Sequence, residues 1–370
     1  MIKKRGPHLP KVLLALCLAL LAGMLASGSV QAYTPVRSDP QEDTCLSCHG
    51  NPDLEITLRD GESLSLFIDA GHLVESVHER IGISCDSCHP TIQDYPHPEI
   101  DYASRRELSR AFYLTCRTCH ANNYENTLDS IHAEVAIGGE LGAPVCTDCH
   151  AAHNTRLPNQ PRALISETCG QCHAEILSVY KQSIHGWELI EQDNPDVPVC
   201  TDCHGVHNIQ DPRTAQFRID SPELCAGCHA DPERMGKYGY TTDVYSLYSI
   251  SWHGVDVQVY KTNWPTIWHE SAVCTDCHGV HDILPARNPD SSVNPSNLLV
   301  TCQNCHPDAG PNWIGAWTGH NEVSLERTPF VFYTEVFYSS FVPLILILAV
   351  GYVFLRIVRG TVERIRRNMP

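Results

Sequence analysis

The chain has 370 residues, 19% of them charged, and its 43 carboxylates against 26 lysines and arginines give a formal net charge of -17. That sign argues against nucleic acid as a partner and favours a cationic docking protein or small cations. Nineteen cysteines are a count that a redox, zinc or cofactor framework uses.

From the N-terminus, Lys3, Lys4, Arg5 and Lys11 form a basic segment, Val12 to Leu25 an apolar one, and Val30-Gln31-Ala32 a small-residue cleavage site. Residues 1–32 therefore read as a signal peptide, with the mature chain starting near Tyr33. Cys17 lies inside the apolar run and reads as filler. Export puts the following segment outside the cytoplasm.

Residues 33–330 carry Cys-x-x-Cys-His nine times. The copies are Cys45 and Cys48 with His49, Cys85 and Cys88 with His89, Cys116 and Cys119 with His120, Cys146 and Cys149 with His150, and Cys169 and Cys172 with His173. Cys200 and Cys203 with His204, Cys225 and Cys228 with His229, Cys274 and Cys277 with His278, and Cys302 and Cys305 with His306 complete the set. Two thiols three apart can form thioethers with the two vinyl groups of haem, and the next residue, histidine, becomes the proximal iron ligand. A single copy is equally compatible with a redox or zinc site. Zinc needs no histidine fixed after the second cysteine, so nine copies point to nine haem c groups.

The 298 residues of this region provide about 33 per haem, too few for each cofactor to have an apolar domain of its own. The expected fold is a multihaem cytochrome c: mainly short α-helices and irregular loops wrapped around a chain of haems. Pro-rich connections such as Leu157 to Arg162 and Asn288 to Ser296 fit it.

Self-comparison exposes repeated dihaem units. Ser130-Ile131-His132, Cys146-Thr147-Asp148-Cys149-His150 with His153, then Cys169 to His173 form one. Ser183-Ile184-His185, Cys200 to His204 with His207, then Cys225 to His229 form the next. Ser251-Trp252-His253, Cys274 to His278 with His281, then Cys302 to His306 form a third. A divergent unit runs from Ser76-Val77-His78 through Cys85 to Cys116, after the leading Cys45 motif.

The repeat also selects the second axial ligands. His78, His132, His185 and His253 share the Ser-x-His slot, and His320 in Thr318-Gly319-His320 falls where a fifth would lie. His153, His207 and His281 each follow a proximal histidine by three residues and must reach a different iron; His97 is the nearest counterpart in the divergent unit, with His72 as its substitute. Nine distal imidazoles would close nine irons. His72 and His269 otherwise read as ordinary surface or core histidines. Met235 is the one methionine between the signal and the tail, so His/Met ligation, which raises the potential, is nearly absent and the haems should be of low potential.

Residues 331–358 contain an uncharged stretch, Val336 to Leu355, long enough to cross the hydrocarbon core as one transmembrane helix. Arg356, Arg359, Arg364, Arg366 and Arg367 follow, so residues 359–370 read as a basic cytoplasmic tail and the haem region as periplasmic, on the outer face of the inner membrane. Removing the four cations before position 33 and the net +4 after Leu355 from the total of -17 leaves -25 between them.

Together the Cys-x-x-Cys-His copies, the Ser-x-His slots and the Cys-Thr-Asp-Cys-His-x-x-His copies resemble the membrane-anchored periplasmic multihaem c-type cytochromes of anaerobic respiratory chains. The resemblance covers most of Tyr33 to His320. It implies closely stacked haems, an electron-transfer role without catalysis, a membrane b-type cytochrome or other quinone-reactive subunit as one partner, and a periplasmic redox protein as another. The anchor here is C-terminal, whereas the small quinol dehydrogenases of this class anchor through an N-terminal helix. The single helix also offers no histidine for a haem b, so a separate membrane subunit is expected. The rival reading is a multihaem reductase or dehydrogenase acting on nitrite, hydroxylamine or a sulfur oxyanion at one open haem, with the Cys45 or Cys302 haem as the candidate. That reading requires an iron with a free face.

Overall fold

The computed structural model describes residues 40–368 apart from 93, 100, 317–319 and 321. The expected signal peptide and Cys17 lie outside the described residues.

Short helices and irregular loops make up most of the chain. Each begins from a local cause. In the motifs at Cys85, Cys116, Cys169 and Cys302 the histidine N–H donates to the carbonyl of the first cysteine at 2.9–3.0 Å. This closes one helical turn and brings both cysteines and the histidine to one side. In the three Cys-Thr-Asp-Cys-His copies the aspartate also caps its own helix: Asp148, Asp202 and Asp276 accept from the N–H of Val145, Val199 and Val273 at 2.6, 2.7 and 2.7 Å. A carboxylate at the first turn satisfies an orphan donor and complements the helix dipole.

Three of the four Ser-x-His slots are helix starts, whereas Ser76 ends the helix Ala70–Glu75. Ser130, Ser183 and Ser251 cap the helices Ile131–Ile137, Ile184–Glu191 and Trp252–Asn263, accepting from His132, Gly186 and Gly254 N–H. Ser76, Ser130 and Ser183 are each 2% exposed, so the hydroxyl is satisfied where water is excluded. A recurrent backbone bond then joins slot to motif: Val77 N–H to Thr155 O, Ile131 to Ile209 and Ile184 to Ile283, at 2.8–2.9 Å. Each acceptor lies two residues past His153, His207 or His281. The two kinds of distal histidine are therefore held by one repeated contact.

The chain forms two compact units. Residues up to Ala103, with His153–Thr155, make the first; Ser104–Ala152 and the chain from Arg156 make the second. The first contains a feature absent from the sequence reading, an antiparallel pair of strands, Glu55–Thr57 and Ser63–Ser65, with Ile56 opposite Leu64. Three-residue strands with one inward side chain carry too little alternation to be read from sequence. The hairpin braces the leading motif: His49 Nδ1 donates to Leu66 O at 2.8 Å, and Ile68 N–H to His49 O at 2.6 Å.

In the second unit, Tyr180, Leu189 and Val199 form one apolar cluster and Ile219, Val257 and Val273 another. Tyr180 and Tyr248 hydroxyls donate to Pro198 O and Ala272 O at 2.6 and 2.9 Å, pinning the chain just before the Cys200 and Cys274 motifs. Met235 is 8% exposed and packs as core. Only eleven hydrophobic side chains and Pro222 are buried among the described residues, far fewer than a chain of this size buries by itself.

The C-terminal helix runs from Pro329 to Arg367 without a break at Pro343. It continues through the arginine-rich segment after 358. Its most apolar window, mean hydropathy 2.5, is wholly exposed in the protein, which makes it a candidate membrane span.

Candidate functional site

Histidine rings meet in pairs. Ring centres are 6.1 Å apart for His49 and His97, 6.2 Å for His89 and His153, 6.3 Å for His132 and His173, and 6.1 Å for His150 and His207. They are 6.2 Å apart for His185 and His229, 6.0 Å for His204 and His281, 6.2 Å for His253 and His306, and 6.1 Å for His278 and His320. Every pair joins a motif histidine to one from the distal set. The other two of the eighteen, His78 and His120, also make interactions of their own.

The spacing is informative. Rings in direct contact lie much closer, as His269 does on Tyr260 at 3.4 Å between centres. Two imidazoles holding one metal ion between their nitrogens, at about 2 Å per bond, have centres about 6 Å apart. The eight pairs cluster within 0.3 Å of one another around that value. Among the described residues no group of three or more histidine, cysteine, aspartate or glutamate side chains converges as a metal site. Pairs of imidazoles suit haem, whose iron takes its other ligands from the porphyrin, better than zinc, which needs about four side chains.

The protonation and orientation of the rings fit the same ligand. His49 Nδ1 faces Leu66 O at 2.8 Å and His97 Nδ1 faces Pro98 O at 2.9 Å. A carbonyl can only accept, so Nδ1 carries the proton and Nε2 keeps its lone pair for metal. Burial, followed by neighbouring imidazoles, lowers the pKa of His89, His132, His204, His229 and His253, and of His185 and His278 down to about 4. Burial comes first again for His153, His207, His281 and His320, which are also lowered. A neutral ring is the form that binds metal.

Successive motifs of the second unit lie side by side. The Cys116 and Cys146 thiols lie close enough to perturb each other, as do Cys169 with Cys200 and Cys225 with Cys274; in each pair the neighbour pushes the first thiol up and holds the second down. Sulfurs attached to haem do not titrate, so the relevant fact is proximity. The second motif of each repeat touches the first motif of the next.

Residues 143–230 match the family model for cytochrome c3. That stretch holds four of the motifs, beginning at Cys146, Cys169, Cys200 and Cys225. Together with the Cys-x-x-Cys-His spacing, the match supports haem c attachment and a multihaem electron-transfer role. No curated protein matches the chain.

Two expected bystanders have partners of their own. His269 Nε2 lies 2.6 Å from Asp256 Oδ2, and His72 lies 3.7 Å from Asp69 on the surface. A third group escaped the sequence reading altogether. Arg106, Arg162 and Arg218 each pair with the motif aspartate, Asp148, Asp202 or Asp276. Each also donates to two backbone carbonyls ahead of that motif: Leu141 and Ala143, Pro195 and Val197, and His269 and Ser271. The only sequence signal is an arginine seven residues before Cys169 and Cys225, displaced to ten before Cys116.

Proposed function

We propose that this protein is an electron carrier with nine low-potential, bis-histidine c-type haems, linking a quinone-reactive b-type cytochrome in the membrane to periplasmic or outer-surface acceptors. The observation that carries the proposal is the set of eight histidine pairs at 6.0–6.3 Å, each joining a motif histidine to a second imidazole. When bound, haem supplies a one-electron iron couple, and imidazole on both faces suits it to electron transfer over substrate binding.

The chain's own residues hold and orient these groups. Eighteen cysteines would attach the haems covalently, and eighteen histidines would ligate their irons. The serine caps fix the distal helices, the Leu66 and Pro98 carbonyls fix ring tautomers, and the buried clusters around Tyr180 and Ile219 set adjacent motifs in register. The helix Pro329–Arg367, exposed and apolar, anchors the protein in the inner membrane. Its arginine-rich end lies in the cytoplasm, which puts the haem region on the periplasmic side. The acidic surface then faces cationic redox partners.

The experiment is a haem count on the purified chain by pyridine haemochrome, followed by a redox titration. Nine haems per chain with low-spin spectra and low midpoint potentials are expected. A count well below nine, or a dominant high-potential population as His/Met ligation gives, would overturn the proposal.

A further inference from the structure

The three arginines that sequence reasoning missed repeat one construction. Arg218 lies in the helix Ala215–His229, which ends in the Cys225 motif. Its Nη1 and Nη2 donate to Asp276 Oδ1 and Oδ2 at 2.8 and 2.9 Å, and its remaining donors reach His269 O at 3.3 Å and Ser271 O at 2.9 Å. Asp276 is the third residue of the Cys274 motif. The guanidinium therefore spans two consecutive attachment motifs, and its planar fork matches the carboxylate in a way that lysine cannot. Arg162 bridges the Cys169 and Cys200 motifs, and Arg106, in the helix Arg105–Phe112, those of Cys116 and Cys146, each with a single bond to its aspartate. The thiols that lie near enough to perturb each other belong to these same three pairs of motifs.

We infer that Arg106, Arg162 and Arg218 are positioning residues that clasp three pairs of haem motifs and set the potentials of the six haems attached to them. The inference rests on the electron-carrier reading above. A fixed ion pair beside an iron centre acts through charge as well as through tethering: the cation favours the reduced, less positive iron and the carboxylate favours the oxidised one. The two members of the clasp therefore have opposite electrostatic effects. Arg218 and Asp276 are the best-protected pair, with side chains 15% and 30% exposed, and solvent screens them least.

The test uses the full-length holoprotein carrying Arg218→Gln, Arg218→Lys or Asp276→Asn. Mass spectrometry of the chain counts attached haems, and a redox titration followed by electron paramagnetic resonance reads individual ferric haems. With nine haems retained, Arg218→Gln is expected to lower the midpoint potential of the two haems at Cys225 and Cys274, and Asp276→Asn to raise it. Arg218→Lys keeps the charge but not the fork; it should restore the potential while leaving the low-spin signals of those two haems altered. Shifts of the same sign in both charge-removing variants would mean that the clasp is only structural and would overturn the inference, as would potentials and signals unchanged with all haems present. Arg162→Gln and Asp202→Asn provide the same opposed pair of readings should an Arg218 variant fail to accumulate. A parent protein without attached haem would overturn the electron-carrier reading itself.

Discussion

At the scale of single residues, function comes down to which imidazole faces which. His132 faces His173 at 6.3 Å, so His132→Ala should open one iron. The reduced variant is expected to bind one equivalent of carbon monoxide, seen in a difference spectrum, while His269→Ala, which removes only the partner of Asp256 and Tyr260, should bind none. The depressed histidines also fix a pH window. His185 and His278 fall from 6.5 to about 4, so between those values the unfolded chain takes up protons that the folded one refuses. Their stabilising contribution is complete above pH 6.5 and is lost as pH falls toward 4. Metal on the ring competes with the proton and moves the loss lower. An acid titration should therefore show low-spin absorption constant above pH 6.5 and declining only on the acid side. Ala151 is a separate case. It follows motif histidine His150 with φ 58°, where the equivalent Gly205 and Gly279 have φ 84° and 82°. Ala151→Gly should raise stability by about 1 kcal/mol, measured from the denaturation midpoint, since relief of a strained backbone outweighs the added freedom of the unfolded chain.

At the scale of elements, the helices carrying His185 and His253 are fixed by a serine cap and a glycine three residues later. A Cβ on Gly254 would stand 2.1 Å from Tyr248 O, and one on Gly186 2.0 Å from Tyr180 O. Both obstacles are backbone, so the helix start carrying His253 or His185 would have to move. Gly254→Ala is expected to cost about 1–3 kcal/mol and to perturb the low-spin signal of the Cys302 haem, whose His306 faces His253 at 6.2 Å. The histidine slots were legible in the sequence because the repeat keeps their order, a Ser-x-His ahead of each unit's first motif and, in three units, a histidine three residues after the motif histidine; His97, in the divergent unit, was reached only by counting. The hairpin at Glu55–Ser65 was not legible, because each strand turns a single apolar side chain inward. Nor were the arginine clasps, whose partners lie 42, 40 and 58 residues apart and meet only through tertiary structure.

At the scale of the whole molecule, three features combine: a sparse apolar core, many covalent attachment sites and one long exposed apolar helix. On the proposed reading the first two make the cofactors part of the fold, so a chain matured without haem should fail to accumulate. The third predicts that truncation before Pro329 releases the haem region into the soluble fraction with its attached haems and spectrum intact, as membrane fractionation and absorption would show. The central claim is that imidazole closes both faces of every iron. Its most direct test is carbon monoxide uptake by the fully reduced intact protein, quantified per haem. Essentially none is the predicted result; stoichiometric binding to even one haem would reveal an open iron and contradict the account.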